Sequence, residues 1–363
     1  MDIQIDNTSK NKITFLPVNN GDAIFLSIDN VNILIDGGFT NTYKILKNYL
    51  INNKIDTINL TILTHSDRDH IGGIISLIRD NIFKIENVWF NSYDKLSQLF
   101  NNGIKDTSKD ISIGNETDEV SYARAKKLSK LLDEQEKKYK SIYREKFVDS
   151  KCTIGELEFT FLSPSKEHLF NLYGNWSIED EKNTKQETSA TVQDIKTIEE
   201  YASQVGECKT DSSLQNGSSI AFVLRYKNNK FLFLGDAHID IIVNSLKSLG
   251  FNNTDNKLHV DFVKLSHHGS SANICQDFLD IVETNKYIIS TNGKSHNHPD
   301  METLCLLIVD AKAKGKEIEL IFNYPKHVYK KEKEILKDES NQKYYGYELK
   351  FSESSSKGYA VEF

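Results

Sequence analysis

Between residues 65 and 70 the chain reads His65-Ser66-Asp67-Arg68-Asp69-His70, directly after the apolar run Ile58-Asn59-Leu60-Thr61-Ile62-Leu63. Four groups able to offer an imidazole nitrogen or a carboxylate oxygen therefore stand within six residues, at the end of a buried-type strand. Residues 65, 67 and 69 can point inward from an extended loop, while His70 begins the turn into a helix starting near Gly72-Gly73. Such a mixed imidazole and carboxylate set suits zinc, manganese or iron. The competing reading is a polar loop that caps the following helix, with Asp69 as N-cap.

Three later stretches repeat the arrangement of an apolar strand ending in polar groups. Phe231-Leu232-Phe233-Leu234 ends at Gly235-Asp236, which alone reads equally well as a turn. Val260 to Leu265 ends at Ser266-His267-His268-Gly269-Ser270, and two adjacent histidines cannot both be casual core residues. Lys286 to Ser290 ends before His296 and His298, the latter in the plain loop sequence Asn297-His298-Pro299. Strands that feed polar loops at their C-terminal ends are where α/β folds place chemistry.

The rest of the pattern indicates an α/β chain of two related halves. Lys12 to Val18 reads as a strand, Asn19-Asn20-Gly21-Asp22 as a turn, and Ala23 to Ile28 as a second strand. Val31 to Ile35 follows and ends at Asp36-Gly37-Gly38, then Thr40 to Asn52 has helical spacing. Glu119 to Phe147, dense in Lys and Glu, reads as a solvated helix with one apolar side. A β pair is expected over Lys151 to Leu162, and Asn175 to Ser213 reads as a long loop or small insertion. Ser218 to Tyr226, a turn at Lys227-Asn228-Asn229 and the strand Phe231 to Leu234 begin the second half. A ββ-then-βα order in both halves favours a sandwich over a single doubly wound sheet.

Composition bounds the partners. With 363 residues, 38% hydrophobic and 27% charged, the chain has material for a real core and is not a disordered sequence. No stretch approaches the roughly 18 to 20 apolar residues of a membrane span. Met1 to Asp6 lacks the basic start and apolar run of a signal peptide, so a cytoplasmic location is expected. A net charge of -7 argues against a broadly basic nucleic-acid surface, although 45 Lys and Arg could build a local groove. Cys152, Cys208, Cys275 and Cys305 lie far apart with no C-x-x-C pair, which predicts ordinary reduced thiols.

In identity and in chain order these residues resemble the metallo-β-lactamase superfamily, over roughly residues 12 to 325. The superfamily signature is H-x-H-x-D-H, and here Asp67 stands in place of the second histidine. That variant, with the following Gly-Gly, the later Gly-Asp and the H-H-G-S, looks like the hydrolase domain of ComEC-type DNA-uptake proteins. Bacterial phosphorylcholine esterases are similar, as is the early turn Asn20-Gly21-Asp22-Ala23. The resemblance implies a four-layer αββα sandwich with two divalent metal ions, zinc or manganese. His65 and Asp67 would hold one, Asp69, His70 and His268 the other, with Asp236 bridging and Asp36 orienting the histidine loop. A histidine is normal before the strand that precedes the bridging aspartate. Asn216-Gly217-Ser218-Ser219 occupies that stretch here, making Asn216 a candidate weak ligand.

Water on such metals has a pKa lowered toward about 7, supplying hydroxide at neutral pH. His267 and His298, with Asp69, are then candidates for contacting the substrate or moving a proton. The leading expectation is a phosphodiesterase or nuclease acting on a phosphate-ester or nucleic-acid substrate. The alternatives are ester, thioester or lactam cleavage, or a catalytically weak interaction or regulatory protein, for which the missing histidine argues. Residues 1–325 are expected to form the hydrolase domain, with a helical insertion at about 94–150 and a polar one at about 175–213. These insertions could form a lid or a protein-partner surface. Residues 326–363 are expected to pack on the same domain.

Overall fold

Period-two burial in the strands explains the architecture. In the computed structural model, which describes residues 11–100, 121–148, 150–176, 196–208, 211–294, 297–329 and 333–363, Ile24–Ile28 turns Ile24, Leu26 and Ile28 one way and Phe25 the other. Val31–Ile35 likewise sends Ile33 and Ile35 to one face and Leu34 to the opposite face. Ala221–Tyr226 and Asn229–Phe233 repeat this, with Phe222, Leu224, Phe231 and Phe233 opposed to Val223 and Leu232. A sheet apolar on both faces must be covered twice. One face of each sheet meets the other sheet, and the second face of each carries helices. The result is the expected α/β sandwich of four layers, αββα.

Among the described residues the first sheet has seven strands, running in space from Tyr359–Glu362 through Lys12–Phe15, Ile24–Ile28, Val31–Ile35, Leu60–Ile62 and Val88–Trp89 to Tyr139–Lys140. The second has eight, from Tyr347–Phe351 through Ile318–Phe322, Lys286–Ile289, Phe262–Lys264, Asn229–Phe233, Ala221–Tyr226 and Leu157–Ser163 to Cys152–Ile154. Between them lies an aromatic-rich core in which Phe15 meets Phe262 at 5.6 Å and Phe231 stacks on Phe262 at 5.0 Å. Val31–Ile35 and Leu60–Ile62 are parallel, as are Asn229–Phe233, Phe262–Lys264 and Lys286–Ile289. Their C-terminal ends therefore lie on one edge of the sandwich, and that edge gathers Asp36, His65, Asp236, His267 and His268. Tyr347–Phe351 joins the second sheet and Tyr359–Glu362 the first.

Glycines set how closely the loops of this edge approach. A Cβ on Gly73, in the helix Arg68–Asp80, would lie 1.8 Å from the Gly37 carbonyl oxygen, while Gly73 N–H donates to the Gly38 carbonyl at 2.8 Å. Gly37 N–H donates in turn to the His70 carbonyl at 2.8 Å. The helix is thus pinned backbone-to-backbone against the loop carrying Asp36. Gly73→Ala should lower unfolding free energy by about 3 kcal/mol or more, because neither backbone can retreat without losing a hydrogen bond. Urea denaturation checks this, and a loss under about 0.5 kcal/mol, the scale of neutral surface changes, would refute the close approach.

Two local expectations need correction. Glu119 to Phe147 is not one helix: among the described residues Ser121–Glu134 is helical, Tyr139–Lys140 is an edge strand, and Arg144–Phe147 is a short 3-10 turn. Tyr139 fits the apolar side of a helix and the edge of a sheet equally, and tertiary pairing decides. Within the polar stretch Asn175 to Ser213, part of which lies outside the described residues, Ile198–Ala202 is helical with a full capping box from Thr197 and Glu200.

The cysteines also depart from expectation. Cys208 and Cys275 form a disulfide with an S–S distance of 2.07 Å, while Cys152 and Cys305 are free and buried. The partners are 67 positions apart, and only folding lays the segment before Ala221–Tyr226 against the loop after His268. Bonds of this kind persist in oxidising compartments. Thiol titration of the denatured, unreduced protein should find two reactive thiols and four after reduction. Four at the outset would show that the bridge does not form. No helix among the described residues is long and apolar enough to cross a membrane.

Candidate metal centre

Four histidines have their ring orientation fixed by what Nδ1 touches. His70 Nδ1 lies 2.8 Å from Asp36 Oδ2, and a carboxylate can only accept, so Nδ1 carries the proton. His268 Nδ1 donates to the Ser290 carbonyl at 2.8 Å. Thr64 Oγ1 gives its one proton to Asp36 Oδ2 at 2.7 Å and so accepts from His65 Nδ1 at 3.1 Å. His267 Nδ1 meets the Asn273 side-chain oxygen at 3.2 Å. With Nδ1 protonated, each neutral ring presents the lone pair of Nε2.

Those Nε2 atoms converge on Asp236. Its Oδ2 stands 3.4 Å from His70 Nε2, 3.8 Å from His65, 3.9 Å from His268 and 4.0 Å from His267. Asp69 Oδ2 lies 3.7 Å from His268 Nε2, and Asp67 Oδ2 lies 3.6 Å from His65 Nε2. The Nε2 atoms of His65, His70 and His268, with Asp236 Oδ1, are buried without a hydrogen-bond partner. Buried polar atoms left unpaired cost stability, so converging lone pairs and carboxylates fit a site for cations. Among the described residues three overlapping sets lie within cation-holding distance, all sharing His70: His65, His70 and Asp236; Asp69, His70 and His268; and Asp22, Asp36 and His70, whose Nδ1 is already engaged by Asp36.

The capping alternative fails on geometry. Asp67, not Asp69, is the N-cap of Arg68–Asp80, and its side chain caps nothing. Its carboxylate is turned to His65 instead. Asp36 holds His70 directly and His65 through Thr64. It sits at φ +56°, where an L-residue is strained, as His267 and His268 do at +45° and +57°. That left-handed pair explains a departure from simple strand alternation. Neighbours after a strand should diverge, yet both rings face Asp236.

Charge among the side chains of the centre is mutually supporting. Burial pushes the carboxyl of Asp236 up, but the imidazoles of His70, His268 and His267 outweigh it and hold the group well below the carboxylate range. Asp69 is held low in the same way by His268 and His70. Burial disfavours the charged His70, yet Asp236 and Asp36 raise it well above the usual imidazole value. His267, opposed by its own burial, is raised to about 9 by Asp236 and Asp211. The sign follows: His267 stabilises the metal-free fold fully below its unfolded value near 6.5, and that contribution is lost as pH rises through about 9. Metal needs neutral rings, so zinc binding at pH 7 should release at least one proton, mainly from His70. Calorimetry in buffers of different ionisation enthalpy measures this, and zero protons released would refute the charged centre.

Several supporting groups gave little signal in the sequence. Lys264 ends an apolar strand, fully buried, with Nζ 2.6 Å from Asp22 Oδ2. This ion pair joins the two sheets beneath His268, whose Nδ1 is 3.8 Å from Asp22 Oδ1. Asp211 accepts from the Asn216 amide at 2.6 Å and lies 3.5 Å from His267 Nδ1. Asn216, the candidate weak ligand, is therefore engaged with Asp211 on the Nδ1 side of His267. His298 packs against His267, ring centres 5.2 Å apart, and donates from Nδ1 to Asp300 at 2.9 Å. Burial and the nearby imidazoles outweigh Asp300 and lower its pKa. His296 lies outside the described residues.

Residues 16–90, which carry Asp36 and the segment His65 to His70, match the family model described as Metallo-beta-lactamase superfamily. No curated protein matches the chain. Among solved structures, the metallo-beta-lactamase fold protein YhfI from Bacillus subtilis is similar at 12% identity and TM-score 0.41, over 98% of this chain and 100% of that one. Igni18, a metallo hydrolase from the archaeon Ignicoccus hospitalis, is similar at 12% identity and TM-score 0.43, over 98% of this chain and 99% of that one. A diphosphatase from the PhnP family is similar at 11% identity and TM-score 0.40, over 94% and 83%.

Proposed function

We propose that this chain is a metal-dependent hydrolase of the metallo-β-lactamase superfamily that cleaves phosphodiesters, with two divalent ions, zinc or manganese, at the Asp236 centre. The observation that carries the reading is the convergence of three buried, unpartnered imidazole Nε2 atoms on one buried carboxylate. His65 and Asp67 would hold one ion, Asp69, His70 and His268 the other, and Asp236 both. When bound, the ions would supply acidified water near neutral pH and positive charge for a phosphoryl oxygen.

The chain's own residues do the rest. Asp36 fixes the tautomers of His70 and, through Thr64, His65, and the Asp22–Lys264 pair braces the loop of His268. The His267 side chain is 27% exposed, against 0–3% for His65, His70 and His268, which suits a group that meets substrate. His298 and Asp300 support it from behind. A phosphate ester is favoured over an acyl substrate by the likeness of the motif to phosphate-ester-cleaving relatives. Arg68, exposed between two acidic ligands, adds a cation at the mouth.

The test is turnover after loading with zinc and with manganese separately. Bis-p-nitrophenyl phosphate and a short single-stranded oligonucleotide are run beside an aryl acetate, a thioester and a β-lactam. The diesters should be cleaved with the highest kcat/KM. Faster cleavage of an acyl substrate would replace phosphodiesterase by the acyl-hydrolase reading, and no turnover at all by fully loaded protein would remove catalysis.

A further inference from the structure

Beside the metal centre, and sharing a wall with it, lies an open groove of about 360 Å³ lined by Asn19, Asn20, Phe39, Asn41, Arg68, Asn292 and Lys294. The shared wall is Asn20, which lines the groove and whose amide donates to Asp69 Oδ2 at 3.3 Å. Among the described residues no carboxylate lines the groove. Arg68 and Lys294 are exposed, and neither is paired with an acidic side chain among the described residues. In a chain of net charge -7, two cations lining one groove without an acidic partner form a local positive field against the general trend.

The chemistry of the lining is specific. The Arg68 guanidinium lies 5.7 Å from the centre of the Phe39 ring, a contact that orients it while leaving its charge unopposed. A guanidinium so held offers paired donors suited to phosphate oxygens, and a lysine supplies a mobile point charge. Asn292 is buried and tied to Asn19, whose backbone N–H donates to the Tyr324 hydroxyl at 2.7 Å, so this wall is braced. A groove of this size holds a phosphate with an attached sugar or base.

We infer that the groove seats a second phosphate of the substrate, next to the ester held at the metal centre. Resting on the phosphodiesterase reading, this narrows the substrate to nucleotide-like compounds with at least two phosphate groups. Arg68 and Lys294 would carry the second phosphate, and the amides of Asn20 and Asn41 would contact what lies between.

The test is binding to the metal-loaded protein, independent of turnover. The probes are phosphorothioate-linked dithymidylate without a terminal phosphate, with a 5′ phosphate, and with a 3′ phosphate. One terminal phosphate should tighten binding about tenfold or more, as expected for charge-assisted hydrogen bonds. Arg68→Ala and Lys294→Ala should each remove most of that increment, whereas Lys227→Ala, at the hairpin turn at the far end of the strands, should keep it. Absence of an increment for both phosphates, or its survival in Arg68→Ala with Lys294→Ala, overturns the inference. An increment in a protein that cleaves no diester would sink the catalytic proposal and leave the groove standing. Diester cleavage without an increment would do the reverse.

Discussion

Asp236→Ala is expected to leave the protein unable to retain metal at either position and to cut diester turnover about 10³-fold or more, well beyond the roughly 10- to 100-fold typical for a supporting group. The reason is position. Asp236 Oδ2 is within 4.0 Å of all four converging Nε2 atoms, so among the described residues its carboxylate is the acidic group placed to reach the imidazoles of both proposed sites. The readout is metal content by elemental analysis, together with the rise in Tm on adding zinc, which should vanish with binding. In the metal-free state Asp236 also offsets the charge on His70, so the variant's His70 should titrate nearer to an ordinary imidazole. A variant that still retains one tightly bound ion would show that Asp236 serves only one site. Wild-type protein that takes up neither zinc nor manganese would end the metal reading altogether.

What was legible in the sequence follows from distance along the chain. His65, Asp67, Asp69 and His70 could be read together because one short segment, a loop running into the first turn of the helix Arg68–Asp80, delivers them, and the strands because alternate residues face different layers. Asp236 and His268 were readable as polar residues ending apolar strands, since parallel strands bring those ends to one edge. Asp211 and Lys264 were not, because their meaning depends on partners at Asn216, His267 and Asp22 that only the fold supplies. A lysine inside the apolar run Val260 to Leu265 was the one available sign. The Cys208–Cys275 bridge was hidden for the same reason, and spacing misled. The His267 and His268 orientations could not be read from alternation, because two consecutive left-handed residues break it.

That broken alternation frames the second large effect. His267→Ala is expected to keep both metal ions yet lower diester turnover about 10²-fold, the scale of a general acid-base or substrate-contacting group. Its Nε2 is as near Asp236 as the others nearly are, at 4.0 Å, so distance alone would admit it as a ligand. Exposure separates it: the His267 ring opens to solvent, whereas His65, His70 and His268 are sealed. Its Nδ1 is also braced by Asn273 and Asp211, as suits a ring that must keep one orientation while exchanging a proton at Nε2. His268→Ala should instead lose metal and activity together. Asp211→Asn should lower turnover less than His267→Ala and shift the pH profile, because it weakens a charge that raises His267. Loss of one ion from His267→Ala would reassign the ring as the third ligand beside His65 and Asp67, filling the role left open where Asn216 stands in place of a histidine.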